Sequence, residues 1–253
     1  MYKRQASEIR MQARESLKNK WSQVVLLTLI YTAINIGINS LSSFVPFLGI
    51  LCLIITVPFE IGLVFSFIKI YKNETFSYGD LFTLTLDNFG KVWKVVGNIL
   101  LKLIVPIILL VVSIFALVLG IVFLGIASNS SDASSIFSTL GIIFVILGYI
   151  GYIASLIFLY VKSLLYSVSY YILYDNPNMT GKQIVEESER IMKGQRGKYF
   201  GLHLSFIGWG LLAILTLGIG TLFLTPYVQF ATIVFYEDRT GKLSYVQDST
   251  PNI

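Results

Sequence analysis

Six apolar stretches separated by short polar segments form the pattern of this chain. They cover about 24–42, 46–70, 98–127, 139–173, 200–217 and 219–236. A helix needs about 20 apolar residues to cross a hydrocarbon core of roughly 30 Å. The pattern therefore predicts an all-α fold: a polytopic membrane helical bundle with six transmembrane helices, short cytoplasmic amphipathic helices, and a single membrane domain over residues 1–253.

The lengths of the apolar stretches predict how each one crosses. Residues 200–236 would measure about 55 Å as one helix, which is too long for one span, and Gly218, Gly220 and Pro226 interrupt them. Two short helices in a hairpin fit instead. Stretches 98–127 and 139–173 would measure about 45 and 52 Å as helices, so we expect them to tilt, kink or project beyond the bilayer.

Composition agrees with a membrane environment. The chain is 55% hydrophobic and only 13% charged, against roughly 25% charged residues in soluble domains. Its net charge of +5 is spread over short segments without a nucleic-acid-binding motif, which argues against nucleic acid as a partner. The single cysteine, Cys52, cannot form an intrachain disulfide and is interpreted as a packing residue.

Basic residues mark alternate polar segments. The segment before residue 24 carries six of them, whereas the turn at 42–46 carries none. The same alternation continues, because the outer turn at 128–138 has only Asp132 and the turn at 218–220 has no charge. By the positive-inside rule, both the N-terminus and the C-terminus are predicted to be cytoplasmic.

A similar segment precedes each outward span. Each combines a helix-start residue, an amphipathic stretch and a basic and aromatic cluster, beginning at Ser7, Ser77 and Thr180. This order predicts three parallel hairpin units at about 1–72, 73–174 and 175–240; the alternative is that the likeness reflects only shared membrane chemistry. The clusters supply four candidate interfacial anchors, which are Trp21, Trp93, Lys198 and Tyr199.

Glu60 is the most unusual residue, because a carboxylate within an apolar span requires a partner, water or a proton. Lys162 on the fourth span is the predicted partner, with Lys102 as an alternative. The functional interpretation of this pair is a proton or ion relay, or a ligand contact. The competing interpretation is a structural ion pair, or a protonated Glu60 with Lys162 reaching the interface.

Motifs of soluble enzymes and metal sites are absent from the sequence. We therefore assign no catalytic residue, no cofactor and no metal ligand. His203, just inside the fifth span, is interpreted as a boundary histidine, and polar residues within the spans are expected to hydrogen-bond between helices. These polar residues are Asn35, Asn39 and Gln229. A run of tyrosines from Tyr166 to Tyr174 is typical of an aromatic interface belt.

Several motifs in the second half resemble a known family. They include Asp175-Asn176-Pro177, Met192-Lys193-Gly194, Leu204 to Trp209, Pro226-Tyr227 and Phe235-Tyr236, and the entry from Ala13 to Trp21 is similar as well. The chain resembles the bacterial integral membrane family called domain of unknown function 975. The resemblance implies a multi-pass protein of the bacterial plasma membrane without an established activity, and it carries over no catalytic residue.

Three classes of function remain. The sequence favours a non-enzymatic regulator or scaffold that binds a partner or lipid, with anionic lipid of the inner leaflet as the expected partner; a protein partner is left open. One alternative is a transporter or channel for a small solute or proton, using Glu60, Lys162 and spans broken by Pro58 and Pro226. The other is an intramembrane lipid-modifying enzyme using Glu60 and His203.

Overall fold

The computed structural model describes residues 4–44, 48–129 and 134–243. The start of the predicted second span at 46–47, the predicted outer residue Asp132 and the tail after Leu243 lie outside the described residues. The described part is helical and contains no strand. Its helices are α1 (Ala6–Leu17), α2 (Trp21–Phe44), α3 (Leu48–Tyr71), α4 (Asp80–Asn129), α5 (Ser134–Ser163), α6 (Ser169–Asp175), α7 (Gly181–Met192), α8 (Arg196–Leu204), α9 (Ile207–Leu215) and α10 (Thr221–Thr240).

Five segments within the described residues are long and apolar enough to cross a membrane. They are Trp21–Ser40, Cys52–Tyr71, Asp80–Ser128, Ser135–Asp175 and Arg196–Leu215. The all-α architecture predicted from the sequence is therefore confirmed. Helix α10, which corresponds to the predicted sixth span, is not among the five, so the number of six spans stays a prediction.

Two predicted spans are not single helices. The stretch 139–173 is divided after α5 by a 3₁₀ turn at Leu164–Tyr166, and 200–217 is divided between α8 and α9. At the second break, the carbonyl of Ser205 accepts a hydrogen bond from Arg10 Nη1 at 3.2 Å. A backbone carbonyl that bonds to another helix is released from its own ladder, which stabilises the bend.

The predicted breaks at Pro58 and Pro226 are wrong. Helices α3 and α10 continue through these prolines. A proline removes one backbone donor and still permits a helix when packing on both sides holds the axis. In α3, Pro58 and Phe59 are both buried, which provides such packing.

Contacts divide the chain into two compact units, Met1–Val96 with Ser167–Ile253, and Gly97–Tyr166. In the first unit, α1 packs on α10 through the buried side chains of Ile9, Ala13 and Leu17. Helices α2 and α3 form a hairpin in which the rings of Tyr31 and Phe59 stack with centroids 5.3 Å apart. Phe230 of α10 adds to the core of this unit through ring contacts with Phe67 and Tyr71 of α3.

The three segments predicted to resemble one another begin in the same way. In each, the backbone N–H at the helix start donates to a side chain three residues later: Gln5 to Glu8 at 2.8 Å, Ser77 to Asp80 at 3.2 Å, and Thr180 to Gln183 at 2.9 Å. This contact satisfies a donor that the helix cannot satisfy internally. The first segment starts at Gln5, two residues before the predicted Ser7.

The first and third segments also end alike. Asn19 and Gly194 both adopt a left-handed backbone, with φ of 68° and 76°, and so turn the chain from α1 into α2 and from α7 into α8. The second segment has no such turn, because α4 runs for 50 residues without interruption. This length corresponds to about 75 Å, well beyond the roughly 30 Å of a hydrocarbon core.

The second unit contains the remainder of α4 and α5. Aromatic side chains join the two helices, and the rings of Phe123 and Phe144 lie 5.7 Å apart. Most large apolar side chains of this unit are exposed, as expected for helices whose surroundings are lipid. Most of these exposed side chains belong to the two longest apolar stretches of the sequence, 98–127 and 139–173.

Candidate functional site

A cavity of about 190 Å³ lies within the first unit. Residues of α3, α6, α8 and α10 line it together with Ser167, which precedes α6, and more than half of these residues have polar side chains. The polar set is Glu60, Ser167, Tyr170, Tyr171, Tyr199, His203, Gln229 and Thr232. The structure thus brings Glu60 and His203, which the sequence singled out separately, to the wall of one cavity.

Helical spacing presents Glu60 to this cavity. Val57, Glu60, Ile61 and Val64 follow the spacing i, i+3, i+4, i+7 on α3, so they share one face of the helix, and all four line the cavity. Glu60 itself is exposed, whereas the four residues that follow it are buried. The carboxylate therefore lies on the helix face that opens into the cavity.

Some polar groups of the cavity are satisfied within the protein. The hydroxyl of Tyr171 donates to Gln229 Oε1 at 2.7 Å, which confirms the predicted interhelical hydrogen bond of Gln229. Thr232 donates to the carbonyl of Val228 at 2.9 Å. In contrast, Asn35 donates to the carbonyl of Tyr31 on its own helix at 3.2 Å, and Asn39 donates to that of Asn35 at 2.8 Å.

Two other polar groups of the cavity, on His203 and Glu60, have no hydrogen-bond partner within the described part of the first unit. His203 Nε2 is buried and has no hydrogen-bond partner among the described residues. The imidazole packs edge-on against Tyr199, with ring centroids 4.4 Å apart. Within the described part of the first unit, Glu60 forms no ion pair and no hydrogen bond. The cavity therefore contains one buried imidazole nitrogen and one carboxylate without a protein partner in this unit.

Lys162, the predicted partner of Glu60, belongs to the second unit. Its Nζ donates to the carbonyl of Lys102 at 3.2 Å and lies 5.6 Å from the ring centroid of Phe158. Both contacts lie within the second unit. The pairing of Glu60 with Lys162 stays a prediction.

A second cavity of the first unit is basic. It measures about 420 Å³ and is lined by Arg4, Lys198 and Arg239 together with Gln5, Ala6, Ile9 and Gly201. Its three basic side chains come from three places: the residue before the α1 cap, the first turn of α8 and the last turn of α10. Lys198, predicted as an interfacial anchor, is exposed at this cavity.

Arg239 is the most buried charge of the basic cavity, with a side chain that is 1% exposed. Its Nη1 lies 2.9 Å from Asp238 Oδ2, and its Nη2 donates to the carbonyl of Arg4 at 3.2 Å. Nε has no acceptor among the described residues. Burial lowers the pKa of the Arg239 guanidinium, and the Asp238 carboxylate opposes this shift.

An apolar groove of about 470 Å³ also lies in the first unit. Its wall combines large apolar side chains of α9 and α10 with Arg14 and Trp21. The apolar and aromatic residues include Trp209, Leu212, Phe223, Leu224 and Tyr227. The rings of Trp21 and Phe223 lie 6.3 Å apart. A tryptophan and an arginine beside an apolar groove are typical of the boundary between hydrocarbon and headgroups.

The other two predicted anchors are Tyr199 and Trp93. Tyr199 is 7% exposed and lines the cavity of Glu60. Trp93 is half-buried, and its Nε1 has no partner among the described residues. Their interfacial role stays a prediction.

Sequence reasoning missed the roles of Arg4, Arg239, Tyr170 and Thr232. The two arginines are 235 residues apart in the chain and belonged to different predicted segments. Their charge was the only sequence signal, and it did not reveal that they meet. No group of three or more histidine, cysteine, aspartate or glutamate side chains suited to a metal ion occurs among the described residues.

Fold and composition define the chain as an all-α protein with several helices long and apolar enough to span a membrane. The model of the family described as "Protein of unknown function (DUF975)" matches residues 1–242, and the chain belongs to this family. The family resemblance noted in the sequence is thereby confirmed. No curated protein and no solved structure matches the chain.

Proposed function

We propose that this protein is a non-enzymatic multi-pass protein of the bacterial plasma membrane that binds anionic lipid at the inner leaflet and acts there as a regulator or scaffold. The observation that carries the proposal is the basic cavity, where Arg4, Lys198 and Arg239 meet. Basic pockets near the cytoplasmic boundary of membrane helices suit the phosphate of lipid headgroups. Arginine and lysine are the side chains that recognise phosphate in proteins.

Charge and hydrogen bonding both favour an anion at this cavity. Asp238 lies 3.7 Å from Arg4 and 2.9 Å from Arg239, and it offsets one of the three positive charges. The residues that line the cavity include three basic side chains and no acidic one, and Arg239 Nε has no acceptor among the described residues. A buried donor without a partner costs about 1–3 kcal/mol, which a phosphate oxygen would offset.

The apolar groove supports a lipid as the source of that phosphate. Arg14 and Trp21 lie at the groove, and the rest of its wall is largely apolar. Such a surface suits an acyl chain better than a soluble anion. Exposed basic residues elsewhere on the predicted inner side, among them Lys18 and Lys193, add attraction to an anionic surface of about 1 kcal/mol each.

Lipid titration tests this proposal. The protein is purified in a neutral detergent and titrated with phosphatidylglycerol, with phosphatidylcholine of equal chain length as the neutral comparison. Binding of phosphatidylglycerol is expected to be tighter and to weaken as ionic strength rises. Equal affinity for the two lipids would overturn the proposal. Inorganic phosphate as competitor distinguishes recognition of the headgroup alone from recognition of the whole lipid.

Lys198 and Lys182 form a matched pair of variants, because both lysines are exposed and lie on neighbouring helices. Lys198→Met removes one charge from the basic cavity and is expected to weaken phosphatidylglycerol binding about fivefold. Lys182→Met removes the same charge from α7 and is expected to change binding less. Equal effects of the two changes would locate lipid binding elsewhere than the basic cavity.

Transport of a small solute or proton is a second candidate function, and the cavity of Glu60 is the observation that favours it. Its earlier support from broken helices is lost, because α3 and α10 continue through their prolines. Flux measurements in proteoliposomes test this candidate. Flux that is unchanged by Glu60→Gln would remove it.

A further inference from the structure

The cavity of Glu60 has the chemistry of a cation site. Its one acidic side chain has no ion-pair partner within the described part of the first unit, and three tyrosines share its wall. An ionisable group within a membrane span is costly and is retained where it meets a partner or a ligand. A positively charged ligand would provide the counter-charge that Glu60 lacks in this unit.

The tyrosines define the kind of cation. Tyr170, Tyr171 and Tyr199 reach the cavity from two helices, α6 and α8. Aromatic faces attract organic cations through the ring quadrupole, and sets of such rings recognise ammonium groups. Neighbouring rings hold Tyr171 and Tyr199 in place: Tyr171 stacks on Tyr236 at 5.8 Å, and Tyr199 packs on Phe235 at 5.1 Å.

The hydrogen-bonding atoms of the cavity also favour an ammonium cation. Tyr171 donates its hydroxyl proton to Gln229, so the same hydroxyl oxygen keeps its capacity to accept a hydrogen bond. The buried Nε2 of His203 has no partner among the described residues and can accept from an N–H donor when it carries no proton. An ammonium group offers N–H donors and no acceptor, so it complements these atoms.

The size of the cavity limits the ligand. About 190 Å³ corresponds to roughly six water molecules at about 30 Å³ each. Drug-sized ligands occupy pockets of about 300 Å³ or more. A lipid or a nucleotide is therefore too large to be enclosed, whereas a small alkylammonium ion fits.

We propose that the cavity formed by Glu60, His203 and the tyrosines Tyr170, Tyr171 and Tyr199 binds a small alkylammonium cation. The carboxylate supplies the opposite charge, and the rings surround the alkyl groups. This site shares no residue with the basic cavity. It is independent of the lipid proposal, and either proposal can fail while the other stands.

Ligand-detected NMR titration of the purified full chain tests the inference. The probe is tert-butylammonium, and tert-butanol is the neutral comparison of nearly equal shape. Tert-butylammonium is expected to bind saturably and at least about tenfold more tightly than the alcohol, because the charge carries most of the affinity. Absence of saturable binding, or equal affinity for the alcohol, would overturn the inference.

Variants separate the contributions of charge and ring face. Glu60→Gln keeps the shape of the side chain and is expected to weaken tert-butylammonium binding about tenfold or more, while Glu186→Gln, at an exposed position of α7, leaves it unchanged. Tyr170→Phe keeps a ring and is expected to retain binding, whereas Tyr170→Leu weakens it by about threefold or more. Thermal unfolding of each variant verifies that it is folded.

Two further outcomes would contradict the proposed site or its selectivity. If Glu60→Gln folds and binds as well as the wild type, the cavity is not the site. Sodium chloride at the probe's concentration is expected to compete weakly. If sodium displaces the probe completely at that concentration, the site selects inorganic cations and the proposed alkylammonium specificity is wrong.

Discussion

The carboxylate of Asp175 lies 2.6 Å from the amine of Lys72, although the two residues are 103 positions apart in the chain. Lys242 contacts the other carboxylate oxygen, and the hydroxyl of Tyr236 donates to it at 3.0 Å. Asp175 begins the Asp175-Asn176-Pro177 motif that carried part of the family resemblance. This carboxylate ties the ends of α3, α6 and α10 together.

We expect Asp175→Ala to destabilise the protein by about 1–3 kcal/mol. The Asp175 side chain is only 7% exposed, so its removal leaves three donors without an acceptor, while the partial exposure of Lys72 and Lys242 limits the loss. Thermal unfolding in detergent measures the effect. The control is Glu186→Ala, which removes the exposed pair of Lys182 and Glu186 at 3.9 Å and should cost less than about 0.5 kcal/mol. Equal losses would contradict the role given to Asp175.

Gly62→Ala is expected to cost about 1–3 kcal/mol. A Cβ at this position would lie 2.8 Å from the backbone carbonyl oxygen of Leu81 and would collide with the Thr85 side chain, so α3 and α4 would have to separate. Gly208→Ala is the matched control, because nothing lies within 4 Å of a Cβ there. That change should be neutral or stabilising by up to about 1 kcal/mol, as expected for alanine in a helix. Chemical or thermal unfolding distinguishes the two, and similar stabilities of both variants would count against close packing at Gly62.

Lys20 is expected to stabilise the end of α3. Its Nζ donates to the carbonyls of Ile70 at 2.7 Å and Tyr71 at 3.2 Å, which belong to the last turn of that helix. A positive charge at a helix C-terminus is favourable, and hydrogen bonds from charged groups contribute about 1.5–3 kcal/mol. Lys20→Met should therefore lower stability by about 1–2 kcal/mol, whereas Lys18→Met at an exposed position should have little effect. If the two variants unfold at the same temperature, the capping role is wrong.

Glu237 predicts a pH dependence of stability. It is 8% exposed and accepts a hydrogen bond from Tyr71 at 2.7 Å. Burial raises the pKa of Glu237 above its ordinary 4.5, and the Tyr71 hydrogen bond and the charge of Lys72 oppose the rise without cancelling it. The folded state therefore binds this proton more tightly than the unfolded state. The resulting stability is complete below about pH 4.5 and is lost as the pH rises through the folded pKa.

Comparison with Glu237→Gln isolates this contribution, because glutamine does not titrate. As the pH rises above about 4.5 and through the raised pKa of Glu237, the wild type should lose stability relative to the variant. Each kcal/mol corresponds to roughly 2–4 °C in the unfolding temperature of a chain of this size. A constant difference between the two melting temperatures across this range would contradict the raised pKa.

The sequence predicted the helices well where apolar runs were long and erred where tertiary contacts interrupt them. The interhelical role of Gln229 followed from the need of an amide within an apolar span for a partner. The bend between α8 and α9 did not, because it depends on Arg10 reaching the carbonyl of Ser205 from 195 residues away. The two prolines caused the opposite error, because the sequence predicted breaks where α3 and α10 are continuous. Local propensity says little about the packing that holds a helix together.

The sequence by itself determined the all-α class, the approximate positions of the apolar helices and the starts of the second and third amphipathic segments, because these depend on local periodicity and on caps a few residues apart. Only the tertiary structure decided which charges meet. It placed Glu60 beside His203 and the tyrosines in one cavity, and Arg4 beside Lys198 and Arg239 in another. The physical reason is that charge identity is written in the sequence, whereas the distance that governs Coulomb energy is set by how distant helices pack.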